Sequence, residues 1–315
     1  SSKRPAILYD AIEVNTGLIA FSENQQFLLA TDAETLSQET AKFNTISYYA
    51  YDRRNEPISL GTSVAFVDND GANFRMFEMF NFSREGEPTL TEPSIIVSRL
   101  TTDTCSYIAD SRESTVVLFA SEDERETVWG YRYFQDGNDR KQSAWFKWKM
   151  PGEVLYHCII RDIYYAVVRI ESASGVFTNQ LVEHDVKTND DTNFLPLNDQ
   201  LFRIHMDNRV DIAALPAGSY DANTDLTTFP MPQNNGEDSI VTFNRRIFAY
   251  CVEALAPQQG VLRQVNVVGA NLTVQGDWTG HPFQIGYIFT MTVELPQFYV
   301  TETSGNTTRS DFRAS

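Results

Sequence analysis

The sequence predicts an all-β protein built from β-propeller-like blades, followed by a second, sandwich-like all-β module. Three observations carry that prediction. Apolar runs of about six to eight residues recur along the chain, rich in β-branched and aromatic side chains, and none of them keeps a 3.6-residue period. Gly, Pro, Asp, Asn and Ser bound each run, and these residues supply the backbone angles of tight turns. Pairs of such runs also return at a near-constant interval. The pairs start at residues 18, 64, 116 and 163, which are 46, 52 and 47 residues apart. A period near 50 with about four strands per unit marks a propeller blade, because one blade cannot bury both of its faces alone and needs neighbours. A generic β-sandwich is the alternative, since hairpins occur in any all-β chain.

In order along the chain, the first pair is Leu18 to Phe21, a turn at Ser22 to Gln25, and Gln26 to Ala30. A polar stretch, Thr35 to Lys42, reads as a turn or a short helix. The second pair is Val64 to Val67, the turn Asp68-Asn69-Asp70-Gly71, and Phe74 to Phe80. Pro57, Pro88 and Pro93 mark edges or loops, where a missing N–H is tolerated. The third pair is Val116 to Ala120, a charged turn at Ser121 to Glu126, and Thr127 to Phe134. A polar loop at Gln135 to Gln142 leads to Ala144 to Met150. Trp145 and Trp148 are three apart, so on a strand the two indoles face opposite layers. After Pro151-Gly152 come Glu153 to Ile160, a break at Arg161-Asp162, and the fourth pair, Ile163 to Ile170 and Val176 to Val182.

The character changes near residue 186. Lys187 to Asn193 is an acidic break, and residues 187–300 read as the second all-β module after blades in 1–186. Strands are expected at Phe202 to Met206, Val210 to Ile212, Ile247 to Val252, Val261 to Val268, Asn271 to Val274 and Gly286 to Leu295. Pro216 to Tyr220 and Pro230 to Gly236 are turn-rich. Residues 301–315 read as the start of a further strand. The chain opens on Ser1 and ends at Ser315 without a recognisable stop, and is read as a segment of a longer protein.

Composition narrows the function. The 315 residues carry 42 acidic and 25 basic side chains, a net charge of −17, with 42% hydrophobic residues. That is enough apolar content for a sizeable core, and too much for a disordered acidic chain. A surface of this sign repels nucleic-acid backbones, which argues against tight DNA or RNA binding. Six acids and no Lys or Arg fall in residues 5–41; 11 acids against three bases fall in 183–238. No run of 18 apolar residues exists, so no membrane insertion is expected. No secretory leader opens the chain.

Sites of chemistry are sought and not found. Asp68-Asn69-Asp70-Gly71 begins like a calcium loop, but Met79 stands where a bidentate Glu is needed. Asp136-Gly137-Asn138-Asp139 is likewise read as a turn. His157, His184, His205 and His281 are scattered, with no zinc spacing. Cys105, Cys158 and Cys251 are odd in number and read as small buried thiols of a reducing cytosol. No nucleophile elbow, dinucleotide loop or phosphate loop is present. Asp190-Asp191 and Glu237-Asp238 are the carboxylate pairs that a glycosidase-type or carbohydrate-binding propeller would need, yet adjacent residues point apart in extended chain. Asn81, Asn271 and Asn306 open glycosylation sequons without a secretory context. The expectation is therefore no enzyme, no catalytic residue, no cofactor and no metal.

The succession of segments resembles the tail tubular protein B, or nozzle protein, family of short-tailed bacteriophages (podoviruses of the autographivirus type). Leu18-Ile19-Ala20-Phe21-Ser22-Glu23-Asn24-Gln25-Gln26-Phe27 is similar to the family's apolar strand, Phe-Ser turn and Gln-Phe strand. Val64 to Val67 with Phe74 to Phe80 resembles its next blade, and Ser143-Ala144-Trp145-Phe146-Lys147-Trp148 its Ser-Trp-x-x-Trp strand. Ile204 to Val210 with Gly218-Ser219-Tyr220-Asp221 is similar to its second module, and Ile285 to Phe289 through Phe298-Tyr299 to its closing segment. The resemblance implies a structural virion protein of the tail, assembled in the host bacterial cytoplasm. It implies a hexameric ring below a tail adaptor that holds tail fibres and guides DNA through a bore without binding it specifically. An anionic wall would centre DNA rather than brake it, so part of the acid excess in 10–39 or 183–238 is expected to line that bore.

Overall fold

The computed structural model describes residues 6–31, 37, 40–69, 71–82, 87–136, 139–171, 175–187, 194–197, 200–203, 206–234, 237–238, 246–251, 256–290, 292–293, 299–301 and 307–309. Regular structure among them is strand, apart from short 3-10 turns at Pro93–Val97 and Ala217–Ser219. The chain divides into two compact units, Ser1–Asp190 and Asp191–Ser315.

The first unit holds four antiparallel meanders, each hydrogen-bonded in chain order. The first sheet contains β1 (Leu8–Val14), β2 (Gly17–Ser22), β3 (Gln26–Thr31) and β4 (Ala41–Ser47). The second contains β5 (Ile58–Ser59), β6 (Val64–Asp68), β7 (Arg75–Phe80) and β8 (Thr89–Thr91). The third contains β9 (Tyr107–Ser111), β10 (Val116–Ala120), β11 (Thr127–Asp136) and β12 (Asp139–Lys149). The fourth has three strands, β13 (Glu153–Ile160), β14 (Ile163–Glu171) and β15 (Phe177–Asp185). The repeat read from sequence is thus physical: each pair starting at 18, 64, 116 and 163 is the second and third strand of one sheet.

Side-chain alternation explains why the sheets stack. On β6, Val64 and Phe66 point one way and join Ile19, Phe21 and Leu28 of the first sheet in one apolar cluster. Ala65 and Val67 point the other way, into a second cluster with Val117, Phe119, Trp129 and Tyr131 of the third sheet. The second sheet is therefore covered on both faces, and every residue of β6 is buried. The third and fourth sheets meet through Trp148 against Tyr164, with ring centroids 5.6 Å apart at 71°. Trp145 packs instead on Phe119 and Tyr131, toward the second sheet, so the two indoles do occupy opposite layers. Gly130, opposite Phe146 across the β11–β12 ladder, lets that ring lie flat on the strand; a Cβ there would fall inside the ring.

Polar ties fix the order of the stack. The β13–β14 connection is only Arg161-Asp162, both at positive φ as a two-residue hairpin turn of this hand demands. The Asp162 carboxylate accepts hydrogen bonds from the Ser111 and Ser114 hydroxyls beside the β9–β10 turn. Between the second and third sheets, buried Glu78 is ion-paired with Arg140, whose guanidinium lies 4.4 Å from the Tyr133 ring centroid and donates to Tyr131.

In the second unit β16 (Phe194–Leu197) and β17 (Gln200–Arg203) form a hairpin. Seven strands then make one sheet: β18 (Asp207–Ile212), β19 (Tyr220–Asp221), β20 (Leu226–Pro230), β23 (Ile247–Tyr250), β24 (Leu262–Val268), β25 (Asn271–Gln275) and β26 (Phe283–Tyr287). Their order is β18-β26-β23-β24-β25-β20-β19. Two further hairpins are β21 (Gln233–Asn234) with β22 (Glu237–Asp238) and β27 (Tyr299–Thr301) with β28 (Thr307–Arg309). The sandwich-like module expected from sequence is thus hydrogen-bonded as one continuous sheet over a core of Phe229, Ile247, Leu272, Trp278, Phe283 and Ile285.

Several expected elements differ, and Gln135 to Gln142, expected as a loop, lies mostly within β11 and β12. The strand expected at Gly286 to Leu295 runs from Phe283 to Tyr287. Gly286 is not its start but a close-approach point, because a Cβ there would sit 2.9 Å from Met206 Cβ and 3.0 Å from the Asp207 carbonyl. The strand expected over Phe202 to Met206 ends at Arg203, and 204–205 lie outside the described residues. Of the turn or short helix expected over Thr35 to Lys42, the described residues show a turn closed by Ser37 and Thr40, and β4 already starts at Ala41.

Candidate functional site

The acidic candidates come first. Asp10 accepts a 2.6 Å hydrogen bond from the Tyr51 hydroxyl, while Glu13 and Glu23 are exposed; Asp32, Glu34 and Glu39 lie outside the described residues. That bond and burial together push the Tyr51 phenol far above its ordinary pKa, with burial the larger cause. In the later acidic stretch, Asp207, Asp211, Asp221 and Asp225 are exposed. Asp211 accepts from Gln284, and Asp221 caps its own turn through the Asn223 N–H and the Thr224 hydroxyl, which hold its carboxyl below the usual range. Asp190, Asp191 and Asp199 lie outside the described residues. Glu237 and Asp238 are adjacent strand residues of β22.

The remaining sequence candidates are committed to the fold. Asp68 is wholly buried and ion-paired with Arg75 across the β6–β7 ladder. Asn69 donates to the Cys105 carbonyl at 2.9 Å and accepts from the Cys105 N–H at 2.9 Å, and Asp70 lies outside the described residues. Asp136 and Asp139 are paired at the β11–β12 turn, with 137–138 outside the described residues. Among the described residues no group of three His, Cys, Asp or Glu is gathered for a metal. Cys105, Cys158 and Cys251 form no disulfide among the described residues; Cys105 and Cys251 are buried, and burial pushes the Cys105 thiol well above its ordinary pKa.

His157 is buried on the face of β13 that meets the third sheet, where its Nε2–H donates to the Tyr107 carbonyl at 3.2 Å. Burial pulls its pKa from 6.5 down to about 4. Its ring stands edge-on to Tyr164 at 5.6 Å. His184 packs on Trp148, and His205 lies outside the described residues.

What the sequence did not single out is a set of surfaces. The first sheet turns its other face outward. There Leu8, Ala11, Leu18, Ala20, Leu29 and Phe43, with Tyr9 and Asp10, line an open depression of about 390 Å³. The outward face of the fourth sheet projects Ile160, Phe177 and Leu181, which are 57%, 51% and 70% exposed. A third surface is the turn Pro93–Val97, which presents Ile95 and Ile96 to solvent. It is held rigidly: Trp145 Nε1–H donates to the Pro93 carbonyl at 3.0 Å, Trp129 Nε1–H to Leu100 at 2.7 Å, and the Ser94 hydroxyl accepts from the Met76 N–H. Rigid, exposed apolar groups of this kind mark protein–protein contact rather than chemistry. The arrangement can bind surfaces and repel anions, and it gathers no nucleophile, base and acid in one cleft among the described residues.

A family model described as bacteriophage nozzle protein matches residues 1–314. No curated protein matches the chain.

Proposed function

This chain belongs to the bacteriophage nozzle protein family, whose members are structural proteins of the phage tail, and from that premise we propose that it is a ring-forming nozzle subunit of a short tail. The ring is a hexamer that conducts DNA during ejection, sits below the tail adaptor and docks tail fibres. Copies assemble in the host bacterial cytoplasm. The family match across nearly the whole chain is the observation that carries this reading.

Two properties of the chain support the conduit role. The net charge of −17 makes a wall that repels phosphate, so DNA slides without a specific contact. Stacked β-meanders make a stiff scaffold, since consecutive sheets share dry apolar clusters. We also keep propeller closure as part of the proposal: the four sheets are blades, and further sheets complete the ring of blades.

Negative-stain microscopy of the purified protein tests the reading. Rings with a central hole are the expected result, and compact particles without a hole at every concentration would overturn it. The anionic-wall part has its own test in an assembled tail: carboxylates of 10–39 and 183–238 found wholly on the exterior would remove it.

A further inference from the structure

We infer that the seam between the third and fourth sheets is an acid-sensitive joint: a proton added to the buried His157 ring finds no counter-charge in the closed seam, so acidification releases the fourth sheet while the first three stay stacked. The inference is independent of the ring reading above and concerns one chain by itself.

His157 sits in the seam with one ring nitrogen in use and the other idle. Its Nε2–H donates to the Tyr107 carbonyl of β9, so the lone pair of the neutral ring is on Nδ1. Nδ1 is buried and has no hydrogen-bond partner among the described residues. The hydroxyl of Tyr164, whose ring stands edge-on to the imidazole, is likewise buried without a partner among them. Protonation makes Nδ1 a second donor and gives the ring a charge, and a buried charge must be paired or reach water. The charged groups of the facing strands are committed elsewhere. Arg132 of β11 donates to the Ser114 and Val186 carbonyls. Asp162 accepts from Ser111 and Ser114, and the Glu113 carboxyl is hydrogen-bonded to Asp162. Asp110 shares the face of Ile108, which packs toward the second sheet, and Cys158 points to the face opposite His157. His184 of β15 packs on Trp148. Burial lowers the His157 pKa, and the bond to the Tyr107 carbonyl only partly opposes it.

The fourth sheet can leave alone because its ladders are its own. β13 pairs with β14 and β14 with β15, and neither ladder uses a strand of the third sheet. Undocking breaks the Trp148–Tyr164 and Tyr107–Tyr156 ring contacts and a few ties: His157 to Tyr107, Asp162 to Ser111 and Ser114, Arg132 to Val186, and the Val154 N–H to the Arg125 carbonyl. Met150-Pro151-Gly152, between β12 and β13, is the pivot. The direction with pH follows from the two states of the ring. His157 has a pKa of about 4 in the closed seam and 6.5 once in water. Above 6.5 it is neutral in both states and closure is at full strength. Between 6.5 and 4 the open state takes the proton first, so closure weakens as pH falls, and below about 4 the effect levels off. From pH 7 to pH 5 the opening constant rises about 20-fold by this linkage.

Amide hydrogen exchange of the whole chain at a series of pH values from 7 to 4, corrected for the intrinsic pH dependence of exchange, tests the joint. A three-stranded sheet without a packed face does not hold its ladders, so opening is read in peptides covering β13, β14 and β15. Their opening is expected to rise about 20-fold from pH 7 to pH 5 by the linkage above, while peptides covering β6 and β7 stay unchanged. His157→Gln keeps a donor for the Tyr107 carbonyl and cannot take up the proton, so its corrected exchange in β13 to β15 is expected to be flat with pH. His157→Asn serves as a second, smaller replacement. A rise of the same size in folded Gln or Asn variants would overturn the inference, as would a rise shared equally by β6 and β7. Should neither variant fold, the wild-type series decides: a rise confined to β13 to β15 that begins near pH 6.5 supports the joint, and any other profile overturns it.

Discussion

The second and fourth sheets are built from the same kinds of residue and end in different states. In β6, Val64, Ala65, Phe66 and Val67 are each 1% exposed, because the first and third sheets cover both faces. In β14 burial alternates along the strand, and across the ladder Leu181 of β15 stands 70% exposed. The difference teaches that an apolar run reports how many faces are meant to be covered, while exposure reports how many are covered within one chain. The residue between the two counts is the place to look for assembly.

The sharpest way to break this comparison is to cut the same ring from each kind of face. Phe66 lies between the first and second sheets, 5.4 Å from both the Phe21 and Phe77 ring centroids. Phe66→Ala should lower unfolding stability by about 3–5 kcal/mol, the usual cost of a buried Phe cavity. Phe43→Ala on the open face should cost less than about 0.5 kcal/mol in the dilute chain. Urea denaturation of both variants checks it, and equal losses would mean that the first sheet's outward face is not open.

Proton binding at His157 sharpens the comparison on the covered side of the fourth sheet. The folded pKa is near 4 and the ordinary value 6.5. Above 6.5 the ring is neutral folded or unfolded. Between 6.5 and 4 the unfolded chain takes the proton first, so stability falls as pH falls and levels off below about 4. The full loss is on the order of 3 kcal/mol at 1.36 kcal/mol per pKa unit. The groups shown against it are the Tyr107 carbonyl and the Tyr164 ring, and burial pushes the Tyr164 phenol up, so it carries no charge in that window. Subtracting the pH–stability profile of His157→Gln removes the background of carboxylate titration. A difference profile that is flat from pH 7 to 4 would mean water reaches this interface.

The strands that carry these tests were legible to very different degrees. The paired runs of the repeat stood out because they are rich in apolar residues, most fully in β6 and β10, which are buried at every residue. β1, β4, β5, β8 and β9 did not, since their exposed positions are polar or their length is two or three residues, as at Ile58–Ser59 and Thr89–Thr91. β20 was hidden between Pro216 and Pro230, which read as punctuation, although Pro230 is its last residue and Thr227 and Phe229 are buried. The surfaces fared worst. Phe43 looks apolar in the sequence, and only its place between exposed Lys42 and Asn44 on β4 hints that it is more than half exposed. The charge imbalance was legible from counting alone, and it said nothing about where Asp10 or Asp211 would point.

Backbone approach gives a smaller effect on the third sheet's face toward the fourth. Gly130→Ala should cost about 1–3 kcal/mol, because the new methyl meets the Phe146 ring and must displace it. The double variant Gly130→Ala with Phe146→Ala should recover most of the clash while keeping the loss of the ring. A calorimetric melt of the three variants reads the coupling, and additive losses would mean that the ring does not lie over Gly130.

The smallest expected effect compares the two faces of a single strand. Trp145 and Trp148 both pack on aromatic partners, but Trp145 also donates its Nε1–H to the Pro93 carbonyl. Phe in place of either indole keeps a ring in the layer and removes area of similar size. Only Trp145→Phe removes a hydrogen bond, at a net cost of about 1 kcal/mol. It also frees the turn that presents Ile95 and Ile96, since Pro93 loses that anchor. Trp145→Phe should therefore be about 1 kcal/mol less stable than Trp148→Phe, and amide exchange should rise at Ile95 and Ile96 in the first variant only. Equal stabilities with unchanged exchange would assign the rigidity of that turn to Ser94 and Trp129 instead, and would reduce the difference between the two faces to packing alone.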